Sequence, residues 1–270
     1  MVDKEEIEEL AGDQTEELMS RINGISKTLH EIAHLQKIAN LENNEIIRFP
    51  FLGEEITMYL PYAAQDRIQR SIVKSYNFFE FKELEVLRAK IGIESGKTIY
   101  DLGANIGNHT VYFSTAFRPK KLVAVEPQPA AVNILKRNIE LNDIKNATVV
   151  ECLMGEKSGK GRMHSFKSRN LGATSFKTDD EGTIPIRNID DLVEEQTNGE
   201  VDFMKIDVEG MHEEVLRGAE KTLTKARPTI WIELRSFKQE YESGEKILSK
   251  FGYKKVLQLS AHDFVFAAKS

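Results

Sequence analysis

Apolar and polar positions repeat along this chain with two different periods, and the change of period divides it. Near the start, Leu18, Ile22, Ile25, Leu29 and Ile32 recur at alternating steps of four and three, an a/d stripe about two heptads long. Asp13 with Glu16 three positions on reads as a capping box, so the pattern predicts a helix that opens there. Gly24 inside the stripe costs about 1 kcal/mol against alanine. Beyond Ile32 the stripe slips to Leu35, Ile38 and Leu41. Residues 1–45 therefore read as an amphipathic segment. It either packs on its own domain or pairs with a second copy, making residues 13–41 the contact of a homo-oligomer.

Residues 46–62 alternate with period two. They predict a hairpin, with strands Ile46–Phe51 and Ile56–Leu60 around a turn near Gly53. Helices are expected near 64–76 and 80–91, and residues 46–95 as a whole are expected to cap an active site. From Thr98 short β-rich runs alternate with helical stretches: TIYDLG, KLVAVEP, NATVVEC, VDFMKIDV and PTIWIEL, with helices expected at 107–117, 129–142 and 211–224. Near-continuously apolar strands bounded by glycines indicate a parallel sheet covered on both faces, so residues 96–270 read as an α/β domain. The stretch 155–200 is an excursion with strand-like pieces, and YKKVLQLSAHDFVFAAK reads as a terminal hairpin.

Composition narrows the classes. The chain has 270 residues, 40% hydrophobic and 30% charged, enough for a substantial core without staples. Its apolar runs fall short of a bilayer span, and its acidic start lacks the apolar core of a secretory signal. The single cysteine, Cys152, leaves no intramolecular disulfide and fits a reducing, cytoplasmic location. A net charge of −6 sets bare nucleic acid behind other partners.

Residues 101–110, DLGANIGNHT, lie between a strand and a helix, where open α/β sheets bind ligands. The spacing is not the G-x-G-x-x-G of a pyrophosphate site. Asp101 at the strand end would repel a phosphate but suit a cation, while Gly103 and Gly107 allow close backbone approach. A ligand with an ammonium, a sulfonium and a ribose fits: S-adenosylmethionine. Glu126 closes the second strand about 20 positions on, the place of a carboxylate that holds ribose hydroxyls, and Pro127 ends that strand.

DLGANIGNHTVYFS, AVEPQP, NLGATSF and MKIDVEGMHEEVLRGA, in that order over about residues 75–270, resemble the FkbM family of S-adenosylmethionine-dependent methyltransferases. The resemblance implies a class I methyltransferase fold: a Rossmann-like seven-stranded sheet with its last hairpin antiparallel, here preceded by the N-terminal helical segment. It implies methyl transfer, most often to a hydroxyl oxygen of a sugar, glycan precursor or natural product. Carried over, Asp101, Gly103, Asn105, Gly107 and Asn108 would line the methionine end of the donor and Glu126 would hold its ribose. Leu153 and Met154 would flank its adenine, and Asp207 would face the transferred methyl. The family often has a glutamate where this chain has His212.

An alcohol that accepts a methyl loses a proton, and a base in reach accelerates that by about 10²–10⁴ fold. Candidates are Asp207, Glu209, His212 and Glu233, with Asp207 favoured as nearest the methyl. Clustered carboxylates can also hold a divalent metal, which the sequence does not decide. His109, Asn170 and Thr174 are candidate substrate contacts. Lys157, Lys160, Arg162, Lys167 and Arg169 make residues 157–169 a basic excursion, either a solvated strand face or a guide for an anionic sugar. The rival readings are an RNA or protein methyltransferase of the same fold, and a non-catalytic oligomeric scaffold.

Overall fold

The structure, a computed structural model, describes residues 4–39, 45–165, 175–208, 210–235 and 239–268. Helix α1 (Lys4–Ala39) begins nine residues before the expected capping box. Gly12, ahead of the expected start, does not interrupt it. Leu18, Ile22, Ile25, Leu29 and Ile32 are 47% to 62% exposed, so the stripe does not pack on its own domain. On the opposite side of the helix, Glu31 lies 3.9 Å from Arg70 of the following domain.

The hairpin forms as expected. Strands β1 (Ile46–Phe51) and β2 (Glu54–Tyr59) meet at Leu52 and Gly53, both at positive φ, the two-residue turn whose twist suits antiparallel strands. Helix α2 (Arg67–Ser75) is capped by Asp66, which accepts from the Gln69 N–H at 2.9 Å, and α3 (Phe81–Ile91) follows.

The main sheet is built by β3 (Thr98–Leu102), β4 (Lys121–Val125), β5 (Ala147–Val150), β10 (Phe203–Ile206), β11 (Thr229–Glu233), β12 (Tyr253–Gln258) and β13 (Asp263–Ala268). Its order is β12-β13-β11-β10-β3-β4-β5, parallel except for β13, which runs antiparallel to both neighbours. This is the seven-stranded sheet with a reversed last hairpin that the sequence implied. Period-two alternation divides its side chains. Ile99, Leu122, Phe203, Trp231 and Val265 join one core with the hairpin, α2, α3, α4 (Asn108–Phe117) and α5 (Pro129–Leu141). Tyr100, Val123, Met204, Ile230 and Phe266 join the other, under α6 (Ile189–Thr197), α7 (His212–Arg217) and α8 (Glu240–Lys250).

The expected helix at 211–224 is α7 followed by a π-helical turn, Thr222–Ala226. Helices α6 and α8 were not expected. The first falls inside the excursion, which also carries β7 (Gly159–Ser165), β8 (Ser175–Thr178) and β9 (Ile184–Arg187); with β6 (Leu153–Met154), just ahead of it, they form a separate sheet of order β6-β9-β7-β8. Among the described residues no helix is long and apolar enough to cross a membrane.

Two asparagines, Asn138 on α5 and Asn142 at its C-cap, fasten the hairpin. Asn142 accepts from the Thr57 N–H at 2.9 Å and donates to its carbonyl at 2.7 Å. Buried Asn138 accepts from the Tyr59 N–H at 2.6 Å and donates to the Ile106 carbonyl at 2.8 Å. These bonds satisfy backbone groups at the open edge of β2 and fasten the hairpin to α5.

Candidate active site

A cavity of about 420 Å³ opens at those carboxyl ends. Gly103 and Asn105 after β3, Glu126 after β4 and Asp207 after β10 form its floor. Glu233 and Arg235 close β11, and Ser260, His262 and Asp263 come from the terminal hairpin. Arg67 and Ile68 of α2, with Phe79 and Glu80 of the next loop, cover it.

Glu126 is 7% exposed, and both its oxygens accept backbone N–H groups: Asn105 at 2.8 Å and Gln128 at 2.9 Å. Burial pushes its carboxyl up to about 7 against the pull of those donors. Asn105 holds its own N–H toward Glu126 from a left-handed backbone, φ 49°, which asparagine tolerates.

Asp207 leaves β10 beside Lys205, whose ammonium lies 3.3 Å from it. Burial acts to raise the Asp207 carboxyl, but the Lys205 charge and hydrogen bond hold it below the usual carboxylate range. Lys205 is itself buried, and the carboxylates of Asp207 and Asp101 keep it raised against that desolvation. Glu233 accepts from Arg235 at 3.0 Å. Asp263 accepts from Trp231 Nε1 at 2.9 Å and from Ser260 at 2.5 Å, and burial raises its carboxyl. Five carboxylates (Glu80, Glu126, Asp207, Glu233 and Asp263) thus line the cavity with two arginines, and Lys205 lies behind it. Such a surplus of negative charge selects a cationic ligand. Among the described residues no group of three His, Cys, Asp or Glu is placed to hold a metal ion.

Of the residues singled out in the sequence, Gly103, Asn105, Glu126, Asp207 and Glu233 meet at this cavity. Asp101 does not line it. It is fully buried, accepts from Thr110 Oγ1 at 2.6 Å and lies 3.8 Å from Lys205 Nζ, so the cation it meets is the chain's own. Asn108 is likewise structural: its amide accepts from the Phe79 N–H at 2.9 Å and donates to the Phe79 carbonyl at 3.1 Å, holding that cavity wall to α4. His109 packs edge-on to Trp231 with Nε2 3.3 Å from Glu80, just outside the lining.

Gly107 caps α4 against Leu135, and Pro127 precedes the Gln128 cap of α5. Leu153 and Met154 are buried in β6 and are not among the residues that line the cavity. His212 is a correction: it lies between α7 and α8 with Nε2 2.8 Å from Ser243 Oγ, because its place on α7 turns it to the covering helices. Arg162 is another. It sits on β7 in the separate sheet and pairs with Asp179 at 2.7 Å. Glu209, Asn170 and Thr174 lie outside the described residues.

Lys205, Glu80, Arg67, Arg235 and Asp263 escaped the sequence reading. Only Lys205 left a clear signal: one charge inside the apolar strand FMKI needs buried partners. It pairs across the sheet with Asp101 on one side and Trp231 on the other.

The family profile described as the methyltransferase FkbM domain matches residues 101–265. The hexuronic acid methyltransferase AglP of Haloferax volcanii is 30% identical over 182 residues, 66% of this chain and 71% of that protein. Methyltransferase 1 of Beauveria bassiana is 23% identical over 177 residues, 57% of this chain and 71% of that protein. The crystal structure of methyltransferase FkbM from Methylobacillus flagellatus superposes with a TM-score of 0.53 at 16% identity, over 76% of this chain. This chain spans 56% of that structure's length.

Proposed function

The chain belongs to the FkbM methyltransferase family and is an S-adenosylmethionine-dependent methyltransferase; from that premise we propose that it methylates an oxygen of a sugar or glycan precursor. The observation that carries the reading is the carboxylate-lined cavity at the strand ends, matched to a cationic donor. The sugar is supported by the hexuronic acid methyltransferase at 30% identity. When bound, the donor supplies a methyl on a cationic sulfur, which an acceptor oxygen takes while the sulfur keeps the bonding pair.

The residues present fit that donor. Glu126 presents carboxylate lone pairs to ribose hydroxyls while two backbone N–H groups hold it still. Gly103 lets the loop after β3 lie close against the end of β10, bringing Asn105 and Asp207 to one cavity: a Cβ there would stand 1.8 Å from the Asp207 carbonyl oxygen. Asp207, kept ionised by Lys205, adds to the negative potential where the sulfonium would lie. Asp207, Glu233 and Asp263 line the same cavity, and one of these carboxylates would accept the proton that the acceptor oxygen loses. Mass spectrometry after incubation with S-adenosylmethionine and a panel of uronic acids, phosphorylated sugars and neutral sugars tests this. One methyl gained on an oxygen is expected, and methylation of RNA or protein with every sugar untouched would contradict it.

Glu126 gives donor binding a pH signature. Its folded pKa of about 7 lies above the ordinary 4.5, so the free protein keeps that proton through most of this interval. The sign follows: this group's contribution to stability is full below 4.5 and lost as pH rises through about 7. Holding ribose hydroxyls requires the carboxylate, so binding expels the proton. Affinity should rise by roughly tenfold per pH unit below about 7 and level off above. Calorimetry near pH 6 in buffers of different ionisation enthalpy should register the released proton. Glu126→Gln should bind weakly with this component gone; a wild-type profile flat across the interval would remove Glu126 from the donor site.

A further inference from the structure

A second cavity, of about 830 Å³, adjoins the first and shares Arg67 and Phe79 with it. Its chemistry is the reverse. Arg67, Arg70 and Lys74 line it with Ser71 and Gln65, and among the described residues no carboxylate does. All three cations come from α2, three and four positions apart, the spacing that brings side chains to one face of a helix. Asp66 caps the helix and Asn108 pins Phe79 where the two cavities meet, so the basic side is held in place by bonds of its own. Among the described residues no acid pairs with Arg67. Arg70 donates through one nitrogen to the Ala64 carbonyl, and Glu31 stands 3.9 Å from another, across a partly exposed gap that screens the pair.

We propose that this basic cavity binds the acid group of the methyl acceptor, a carboxylate or a phosphate, and so makes the acceptor an anionic sugar. The inference rests on the methyl-transfer reading and adds the acceptor's charge and its place. The acidic cavity takes the cationic donor and repels an anion; the basic one holds the acceptor's acid group while the acceptor's reacting oxygen reaches past Phe79. Guanidinium groups suit both anions because their planar fork meets two oxygens at once. The guide for an anionic substrate would then be α2; in the excursion at 157–169 Arg162 pairs with Asp179, and Lys167 and Arg169 lie outside the described residues.

Calorimetry on the full chain loaded with S-adenosylhomocysteine tests this with three probes: D-glucuronate, D-glucose 6-phosphate and D-glucose. One or both acids should bind and glucose should not, and whichever acid binds identifies the group. The Arg70→Ala, Lys74→Ala double variant should weaken acid binding by roughly ten- to a hundredfold, from two charged contacts. S-adenosylhomocysteine affinity should stay as in the wild type, since neither residue lines the donor cavity. Arg70→Lys with Lys74→Arg should restore much of the acid binding. Equal binding of glucose and the acids, binding of none of the three, or full acid binding by the alanine variant would overturn the proposal while leaving methyl transfer intact. Failure of S-adenosylhomocysteine itself to bind would instead overturn the donor site, and this inference with it.

Discussion

Lys205→Met should cost about 3–5 kcal/mol of folding stability, although it puts an apolar side chain of similar length into an apolar strand. Lys205 Nζ lies 3.3 Å from Asp207 and 3.8 Å from Asp101, and Asp101 has no exposed surface. Removing the ammonium leaves Asp101 with its Thr110 hydrogen bond and no cation. An uncompensated buried carboxylate is expensive because neither water nor a counter-charge reaches it. Asp207, half-exposed, loses less. Adding Asp101→Asn to Lys205→Met should therefore recover a large part of the loss, and urea unfolding of the wild type, both single variants and the double measures the coupling. A loss under about 1 kcal/mol, or no recovery in the double, would mean that the triad contributes little.

Gly103→Ala should weaken S-adenosylhomocysteine binding by roughly tenfold or more, because the loop lining the donor site must shift and each loss of about 1.4 kcal/mol is tenfold in affinity. Gly103 sits at φ +80°, and a Cβ there would lie 1.8 Å from the Asp207 carbonyl oxygen and 2.9 Å from its carbon. Both are backbone atoms and cannot rotate aside. The loop after β3 must part from the end of β10, moving Asn105, Glu126 and Asp207 relative to one another. Gly96→Ala is the control: φ there is +76°, but nothing lies within 4 Å of its added Cβ. It should lose only the conformational cost of about 1–2 kcal/mol and keep donor affinity. Equal donor affinity in the two variants would show that close approach at Gly103 does not shape the site.

Much of this was legible from residue order because local signals and tertiary contacts agree. The apolar runs from Thr98, Lys121, Phe203 and Thr229 became central strands, since burial on both faces demands such runs. Gly103, Glu126 and Asp207 share a cavity because parallel strands end on one side of the sheet. The misses share a cause too. Whether Asp101 faces a ligand or the core depends on what stands beside it in the sheet, and register, invisible in the sequence, puts Lys205 there. Asn108 and His212 have side chains suited to ligands but neighbours that claim them first. Helix α6 carries an Asn188 cap and an apolar face of Ile189, Leu192 and Val193, yet it is short and follows a strand-like excursion. The basic face of α2 went unread because Arg67, Arg70 and Lys74 acquire meaning only beside Phe79, where the second cavity meets the first.

The division of charge between two adjoining cavities is the physical basis of the account. It would seat a positively charged donor in one cavity and the proposed anionic acceptor in the other. The most direct test is a crystal structure of the chain with S-adenosylhomocysteine. The account predicts the ribose hydroxyls on the Glu126 carboxylate and the amino-acid end over the loop at Gly103 and Asn105. The nucleoside bound elsewhere, with Glu126 keeping only its two backbone donors, would contradict it.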